Sequence, residues 1–231
     1  MRADKRKNGQ LRDMTVEYGV QIHAPGSVLI RCGNTHVLCA ASVEEKVPPF
    51  LEGSGRGWIT AEYRMLPAST NTRVGRDGGG RAREIQRLIG RSLRQMVDLA
   101  AIDGFTIRVD CDVVNADGGT RCASICGGSL AVARALEYLR GSGKLGALPA
   151  IIPVAAVSCG VVDGEPRLDL AYEEDSRAGV DANFVMAPEG RLIEVQATGE
   201  GDTFSRAEMD ALLSLAEEGT AEIFRKFWPQ R

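Results

Sequence analysis

Short runs of hydrophobic and β-branched residues, separated by glycine-containing turns, fill the first quarter of the chain. Residues 26–32 and 35–43 flank a Gly-Asn turn at 33–34, a spacing that predicts a β-hairpin. Further runs predict strands at residues 18–22 and 58–63. We therefore expect the N-terminal part of the chain to be rich in strands.

The hydrophobic spacing becomes helical after Arg81. A helix is predicted to continue as far as Ala100, because one of its faces collects the apolar side chains of Ile85, Leu88, Ile89, Leu93, Met96 and Leu99. Residues 105–114 predict a strand, and residues 124–140 predict a second helix that glycines end. The second helix is rich in small residues, which allows close packing.

The second half also places its strands first and its helix last. The predicted elements are strands at residues 153–162, 167–172, 183–186 and 192–197 and a helix from Ser205 to Phe224 or beyond. The fold class is therefore α+β, with mixed sheets covered by helices. The connector at residues 145–149 predicts a boundary that divides one compact unit into residues 1–145 and 146–231.

Composition places the chain among soluble globular proteins. Of its 231 residues, 44% are hydrophobic and 26% are charged, and no apolar run approaches the roughly 20 residues that span a bilayer. The charged start at residues 1–7 is not followed by an apolar secretory segment. We therefore expect a cytoplasmic protein that does not bind membranes.

The net charge of −3 conceals two blocks of opposite sign. Residues 56–94 contain nine arginines and three acidic residues, whereas residues 161–222 contain sixteen acidic residues and four arginines. A basic block beside an acidic one indicates polyanion binding with a metal site nearby. Alternatively, the two blocks face each other across an interface or solvate separate surfaces.

A strand, two glycines and a helix start come together at residues 110–124. The glycines let a ligand approach the backbone, and the first amides of a helix carry its positive dipole end. With Thr120, Arg121 and the Ser124 hydroxyl, this arrangement is typical of a phosphate site. An ordinary turn capped by Asp117 or Thr120 is the alternative.

The same arrangement occurs a second time along the chain. Three glycines at residues 78–80 precede Arg81 at the start of the first helix, as two glycines precede Arg121 at the start of the second. The repetition favours two arginines that bind an anion over a single chance turn.

Carboxylates crowd the connection at residues 172–183, where Asp175 and Asp181 flank a turn. Magnesium prefers hard oxygen ligands and usually binds one or two carboxylates together with phosphate and water. A carboxyl group beside other carboxylates also has a raised pKa and can act as a general acid. A solvated acidic turn is the third alternative.

The absence of several sequence motifs excludes some classes of reaction. No G-x-x-x-x-G-K-[ST] sequence is present, which excludes a P-loop nucleotidase. The six cysteines include no C-x-x-C pair, and neither His23 nor His36 has a plausible nucleophile partner in sequence. Inorganic phosphate is then a reasonable attacking group, as in phosphorolysis of a polynucleotide whose backbone is held by Arg73, Arg76 and Arg56.

Ordered blocks of sequence resemble the bacterial ribonuclease PH family over nearly the whole chain. They comprise residues 26–29, 37–39, 41–45, 57–63, 65–67, 84–89, 110–113, 116–121, 174–176 and 193–196. The resemblance implies two similar βαβα-type halves, of the ribosomal protein S5 domain 2-like type. It also implies a phosphate-dependent 3′→5′ exoribonuclease that trims the 3′ end of precursor tRNA and other RNA. Such an enzyme releases nucleoside 5′-diphosphates and runs backwards as a nucleotidyltransferase.

Partners and cofactors follow from the same resemblance. Six chains are expected to form a homohexameric ring, a trimer of dimers, that binds RNA and in particular tRNA 3′ ends, whereas no binding of DNA is expected. Mg²⁺, with Mn²⁺ as the alternative, is the implied metal. Inorganic phosphate is the implied co-substrate.

The resemblance also assigns the phosphate site residue by residue. Arg81 matches the family's phosphate-contacting arginine ahead of the long helix. The family's phosphate-binding turn matches Gly119, Thr120 and Arg121, and we add Ser124 for its hydroxyl. Arg121 is expected to be catalytic as well as phosphate-binding.

Asp175 and Asp181 match the family's metal-binding and acid pair, and both are expected to be catalytic. We interpret Asp181 as the acid that protonates the leaving 3′ oxygen, with Asp175 or a water on the metal as the alternatives. Arg73 and Arg76 match arginines of a loop that grips RNA and supports ring assembly.

Three departures from the family pattern bear on these expectations. The loop at residues 74–80 is shorter than usual and lacks lysines, and Ala68 stands where an arginine is usual. Both changes are expected to weaken tRNA binding or ring assembly. Arg177 lies between the two aspartates in sequence and is expected to compete with a metal for their carboxylates.

Two rival functions are compatible with the same pattern. An RNA-binding ring subunit without activity would be expected to lack the arginines or aspartates, and all are present here. A purely hydrolytic ribonuclease would cleave without added phosphate and release monophosphates.

Overall fold

A computed structural model describes residues 2–76, 78–201 and 203–228. In this part of the chain there are nine strands and four α-helices: β1 Met14–Tyr18, β2 Gly26–Cys32, β3 Thr35–Glu44, β4 Trp58–Met65, α1 Gly79–Leu93, β5 Thr106–Asn115, α2 Thr120–Gly141, β6 Ala155–Val162, β7 Glu165–Leu168, α3 Tyr172–Asp175, β8 Val180–Ala187, β9 Arg191–Gly199 and α4 Arg206–Phe227. None of these helices is long and apolar enough to cross a membrane.

Two sheets and three long helices form alternating layers. The first sheet has the order β1-β2-β3-β5-β4, with β4 parallel to β5 and the other pairs antiparallel. The second sheet, β7-β6-β8-β9, is entirely antiparallel. Helices α1 and α2 pack on the first sheet, and α4 packs on the second. The predicted α+β class is confirmed, although only the first sheet is mixed.

Helix α2 lies between the sheets and contacts β3 of one and β6 of the other. Small residues make this position possible. A Cβ on Gly127 would lie 2.7 Å from the Sγ of Cys39 and 2.8 Å from a methyl carbon of Ile30, so only glycine lets α2 approach the first sheet this closely. The predicted close packing of α2 is therefore confirmed, and the helix is shared by both halves.

Three predicted elements differ from the structure. The first strand is β1 rather than residues 18–22, because Gly19 has a φ of +72° and ends the strand. Helix α1 ends at Leu93 rather than continuing to Ala100: Val97 is extended, and Met96 and Leu99 are buried by separate 3₁₀ turns. The strand predicted to end at residue 172 is β7, which ends at Leu168.

The parallel pairing of β4 with β5 brings two helix starts together. Both strands run toward the same edge of the sheet, where β4 ends at Met65 and β5 ends at Asn115. Helix α1 follows β4 and helix α2 follows β5, so their N-termini meet at this edge. Ligands of sheets with parallel strands bind at such carboxyl ends.

Candidate active site

The turn between β5 and α2 is built around two glycines with left-handed backbones. Gly118 has a φ of +74° and Gly119 a φ of +68°. Gly119 precedes α2, and no side chain caps the helix. The Oδ1 of Asp117 instead accepts a hydrogen bond from the backbone amide of Tyr172 at 3.2 Å. The alternative of an ordinary capped turn is therefore wrong, because no side chain among the described residues caps α2.

Thr120 and Ser124 have different roles in the first turns of α2. The Oγ1 of Thr120 lies 2.9 Å from the hydroxyl of Tyr63 on β4. Ser124 is fully buried, and its Oγ donates to the carbonyl oxygen of Thr120 at 2.8 Å. The expectation that Ser124 binds phosphate is corrected here, because helix packing leaves its hydroxyl neither exposed nor free.

Arg81 and Arg121 occupy equivalent positions on their helices. Arg81 is exposed in the first turn of α1. Arg121 is half-buried in the first turn of α2, and its Nη1 donates to the Oε1 of Gln196 on β9 at 3.3 Å. Gln196 in turn donates to Glu84 of α1 at 3.4 Å. The second sheet thus orients the arginine of the first half.

Asp175 and Asp181 lie near both arginines. Burial raises the pKa of Asp181, and the negative charge of Asp175 raises it further, whereas Arg121 and then Arg81 lower it. Burial also raises the pKa of Asp175 against the opposing charges of Arg121 and Arg81. The two arginines and the two aspartates, predicted from separate stretches, are therefore brought into one site. Glu200 at the end of β9 adds negative charge there.

Arg177 does not interact with this pair of aspartates. Its Nη2 lies 3.5 Å from the Oδ2 of Asp163, and half of its side chain is exposed. The expectation that Arg177 competes with a metal for the carboxylates is therefore wrong, because the turn after α3 directs the guanidinium toward Asp163.

The arginines predicted to bind RNA are divided between two ends of the first sheet. Arg73 and Arg76 are exposed on the loop after β4. This loop lies next to the phosphate turn, because the carbonyl oxygen of Ser69 accepts from the amide of Ala116 at 2.8 Å. Arg56 is also exposed but precedes β4, so the whole strand separates it from the site. Its assignment to the same RNA-binding group is corrected. Asp77 of this loop lies outside the described residues.

Comparison with known proteins identifies the chain's relatives. Two models of the 3′ exoribonuclease family match this chain: the model of domain 1 matches residues 10–136, and the model of domain 2 matches residues 153–219. A ribonuclease PH of Roseobacter denitrificans is 53% identical over 228 residues, which cover 96% of each chain. One from Saccharopolyspora erythraea is 53% identical over 230 residues, covering 97% of this chain and 92% of that protein.

The chain belongs to the ribonuclease PH family. Its enzymes are phosphorolytic 3′→5′ exoribonucleases, and this chain is one of them. Solved structures share the fold at low identity. Rice Rrp46 gives a TM-score of 0.80 at 21% identity, covering 99% of both chains. A subunit of the Archaeoglobus fulgidus exosome, solved with RNA bound to the active site, gives 0.83 at 22% identity, covering 98% of this chain and 92% of that one.

The carboxylate pair of this site fits magnesium. Asp175 and Asp181 offer hard oxygen donors from α3 and β8. Burial and then the charge of Asp175 raise the pKa of Asp181, so a bound cation would relieve the repulsion of the pair. No group of three or more ligand-type side chains that could hold a metal occurs among the described residues. Two carboxylates suit Mg²⁺, which completes its shell with phosphate and water.

Sequence reasoning missed the residues that support the ribonuclease PH site from elsewhere in the chain. Tyr63 and Gln196 lie inside blocks that carried the family resemblance, yet no local pattern assigned them a role. Arg12 was missed entirely. Its Nη1 donates to the carbonyl oxygen of Asp117 at 2.5 Å, and its Nη2 and Nε bind the carboxylate of Asp169 at 2.7 and 3.0 Å. These contacts join distant segments, and sequence spacing alone carries no signal for them.

Proposed function

We propose that the site binds inorganic phosphate between the starts of α1 and α2 and directs it against the last phosphodiester of an RNA 3′ end. Arg81, Arg121, Thr120 and the backbone amide of Gly119 would hold the phosphate. This assignment is supported above all by the convergence of Arg81 and Arg121 on the pair Asp175 and Asp181. Two cations at helix starts match the charge of an attacking phosphate.

In the proposed reaction, a phosphate oxygen attacks the phosphorus of the terminal phosphodiester. A new P–O bond forms, the bond to the 3′ oxygen of the preceding nucleotide breaks, and a nucleoside 5′-diphosphate leaves. Arg81 and Arg121 orient the phosphate and offset the negative charge shared by the two anions. The departing 3′ oxygen takes a proton, which we assign to Asp181 because burial and Asp175 both raise its pKa.

Asp175 would hold Mg²⁺, with Mn²⁺ as the alternative, and Asp181 would join it as a ligand only while its carboxyl group is ionised, not while it carries the proton for the 3′ oxygen. When bound, the metal would neutralise charge on the transferred phosphoryl group. The two arginines, on α1 and α2, would bind and orient phosphate, whereas the carboxylates on α3 and β8 would hold the metal.

The RNA would follow the exposed loop that carries Arg73 and Arg76, beside the phosphate turn. We infer that the substrates are single-stranded 3′ ends, precursor tRNA among them, and that the enzyme acts in the cytoplasm. We also infer a homohexameric ring. The short loop at 74–80 and Ala68 remain the features expected to weaken tRNA binding or assembly.

Product analysis tests this proposal. The purified protein is mixed with an RNA that has a single-stranded 3′ tail and with Mg²⁺, with and without inorganic phosphate. Nucleoside diphosphates are expected only with phosphate. The Arg121→Ala variant should lose this activity while keeping its fold by circular dichroism, whereas Arg206→Ala, an exposed arginine of α4, should match the wild type.

The other outcomes would point to the rival functions. Monophosphates formed without phosphate would indicate a hydrolytic ribonuclease. RNA binding without any cleavage would indicate a non-catalytic ring subunit. Near-normal turnover of Arg121→Ala at low phosphate would remove Arg121 from the phosphate site.

A further inference from the structure

An irregular segment at the start of the chain, residues 2–12, reaches the second half, and although most of its residues are exposed, Arg2, Leu11 and Arg12 are buried; we call this segment the N-terminal arm. Arg2 is only 3% exposed and Arg12 only 7%. Chain termini are poorly ordered unless they are tied down, and arginine is rarely buried unless it is paired. The arm must therefore be held by specific contacts.

Arg2 binds the segment that leads to Asp175. Its Nε and Nη2 donate to the two carboxylate oxygens of Glu174 at 2.9 and 2.6 Å. Its Nη1 and Nη2 also donate to the carbonyl oxygens of Leu168 and Asp169, each at 2.8 Å. Bidentate pairs of this kind fix orientation as well as distance. Glu174 immediately precedes Asp175, so Arg2 holds α3 in place from the other side of the site.

Arg12 binds two segments at once. Its guanidinium pairs with the carboxylate of Asp169, with Nη2 at 2.7 Å from Oδ1. The same group donates to the carbonyl oxygens of Asp117 and Gly118 at 2.5 and 3.4 Å. One buried side chain thus connects the loop before Asp175 to the turn before Gly119.

We propose that the N-terminal arm, through Arg2 and Arg12, positions Asp175 relative to the phosphate turn. Both guanidinium groups are bonded to carboxylates and backbone carbonyl oxygens of the protein, so both are positioning residues. The family model begins at residue 10 and does not include Arg2. The inference rests on the proposed active site and adds to it a dependence on the first residues of the chain.

Substitution of Arg2 tests the proposal most directly. Arg2→Met removes the charge and leaves Glu174 with two other partners, Arg167, whose Nη1 lies 3.2 Å from its Oε1, and Arg6, whose Nη2 lies 4.0 Å from its Oε2, so the fold is expected to survive. Hydrogen exchange is measured at the amides of Glu174, Asp175 and Ser176, which bond to carbonyl oxygens of residues 171 and 172. In parallel, kcat and the KM values for inorganic phosphate and RNA are determined.

Arg2→Met should accelerate exchange at these three amides by about 10-fold or more. It should lower kcat by about 10-fold or more, because a small displacement of a catalytic group is costly, while the KM for RNA stays within about twofold. Arg2→Lys should recover part of kcat, since lysine keeps the charge but not the bidentate pairing.

Arg12→Lys separates the two contacts of the arm. It should raise the KM for phosphate as well as lower kcat, because Arg12 also holds the phosphate turn. Arg2→Met should change kcat with little effect on the KM for phosphate. Equal effects of the two variants on that KM would overturn the proposed division.

Two controls distinguish positioning from general stability. Arg206→Met removes an exposed arginine of α4 and should behave as the wild type. Ile102→Val loosens the core just before β5, at the opposite end of that strand from the site, and should lower the melting temperature without changing kcat well below it. If Arg2→Met behaves like Ile102→Val, the arm is merely structural and the proposal is wrong.

Failure of the proposed function would give a different result. A wild-type protein without phosphate-dependent cleavage would refute the site and the positioning role together. The exchange rates at residues 174–176 would still show whether Arg2 holds α3. Active wild type with unchanged exchange in Arg2→Met would refute the arm alone.

Discussion

The hydroxyl of Tyr63 lies 2.9 Å from the Oγ1 of Thr120, and this contact joins the end of β4 to the first residue of α2. Tyr63 is only 3% exposed. Burial raises the pKa of its phenol, whereas the hydrogen bond to Thr120 and the charges of Arg81 and Arg121 lower it. The contact therefore links the proposed phosphate site to the buried face of the first sheet.

Removing that hydroxyl should weaken phosphate binding. Tyr63→Phe frees the Thr120 side chain to rotate, so we expect the KM for phosphate to rise about threefold and the free energy of unfolding to fall by about 1 kcal/mol. Steady-state kinetics at varied phosphate and urea unfolding measure the two effects. Tyr138→Phe, at a half-exposed position on α2, is the matched control. An unchanged KM in Tyr63→Phe would mean that Thr120 does not need this partner.

Gly118 is expected to tolerate no side chain. Its φ of +74° equals that of Gly143, so alanine at either position bears similar backbone strain, about 1–2 kcal/mol. Only at Gly118 would the new Cβ also meet backbone, 2.5 Å from the carbonyl oxygen of Leu170. Gly118→Ala should therefore lower kcat by about 10-fold or more, and Gly143→Ala should leave it unchanged. Comparable kcat values in both variants would show that the turn can shift without harm.

The loop after β4 should account for part of the salt dependence of RNA binding. Replacing both Arg73 and Arg76 by glutamine removes two phosphate contacts, so the slope of log K against log salt should become less negative by about 1.4. Fluorescence anisotropy with a single-stranded RNA at several salt concentrations measures it. Arg56→Gln, at the other end of β4, should leave the slope as in the wild type. Identical binding of the double variant at every salt would give the loop some other role.

Asp181→Asn should separate binding from turnover. The amide cannot donate a carboxyl proton, so we expect kcat to fall by about 100-fold or more while the RNA dissociation constant stays within about twofold. Asp103→Asn, at an exposed position before β5, controls for loss of one charge. Full activity of Asp181→Asn in saturating magnesium would exclude this residue from the mechanism.

Buried ion pairs at the N-terminal arm should make the fold sensitive to acid. Burial raises the pKa of Asp169, but Arg12 outweighs this effect, and the pKa lies below its ordinary value. A carboxyl with a lowered folded pKa stabilises the fold above its unfolded pKa of about 3.9 and loses that contribution as pH falls. Urea unfolding should therefore show lower stability at pH 3 than at pH 6.

Asp169→Asn provides the comparison for acid stability. At pH 6 it should be less stable than the wild type by about 3 kcal/mol, because it leaves Arg12 buried without its charge partner. Between pH 6 and pH 3 it should lose less stability than the wild type loses. Asp210→Asn, an exposed carboxylate of α4, should follow the wild type. A wild-type curve parallel to that of Asp169→Asn would show that Asp169 does not titrate in this range.

Local patterns predicted the parts of the fold that local forces determine. The turn at Gly33 and Asn34 joins β2 to β3, and the hairpin of β8 and β9 was likewise predicted from its own residues. The end of α1 was not, because Met96 and Leu99 keep helical spacing although 3₁₀ turns bury them. Hydrophobic spacing reports which side chains are buried and not the backbone between them.

The site divides in the same way. Arg121 and Asp181 were predicted from the residues next to them in sequence and from family resemblance, because the adjacent glycines and the cluster of carboxylates form recognisable local patterns. Gln196 and Arg12 act across more than seventy residues of sequence, and only the folded chain brings them to the turn. Ser124 was wrongly predicted to bind phosphate, because the sequence does not show that its hydroxyl is buried and donates to the carbonyl oxygen of Thr120.

Helix α2 begins at the phosphate turn and is covered by a sheet on each side. If either half is unfolded, replaced or removed, one face of this helix is therefore exposed to solvent. Cutting the chain between the halves should yield two fragments that aggregate rather than two domains that fold independently. A small anion that binds the first turn of α2 would stabilise the whole cooperative unit, so probes in α4 should also report a higher free energy of unfolding.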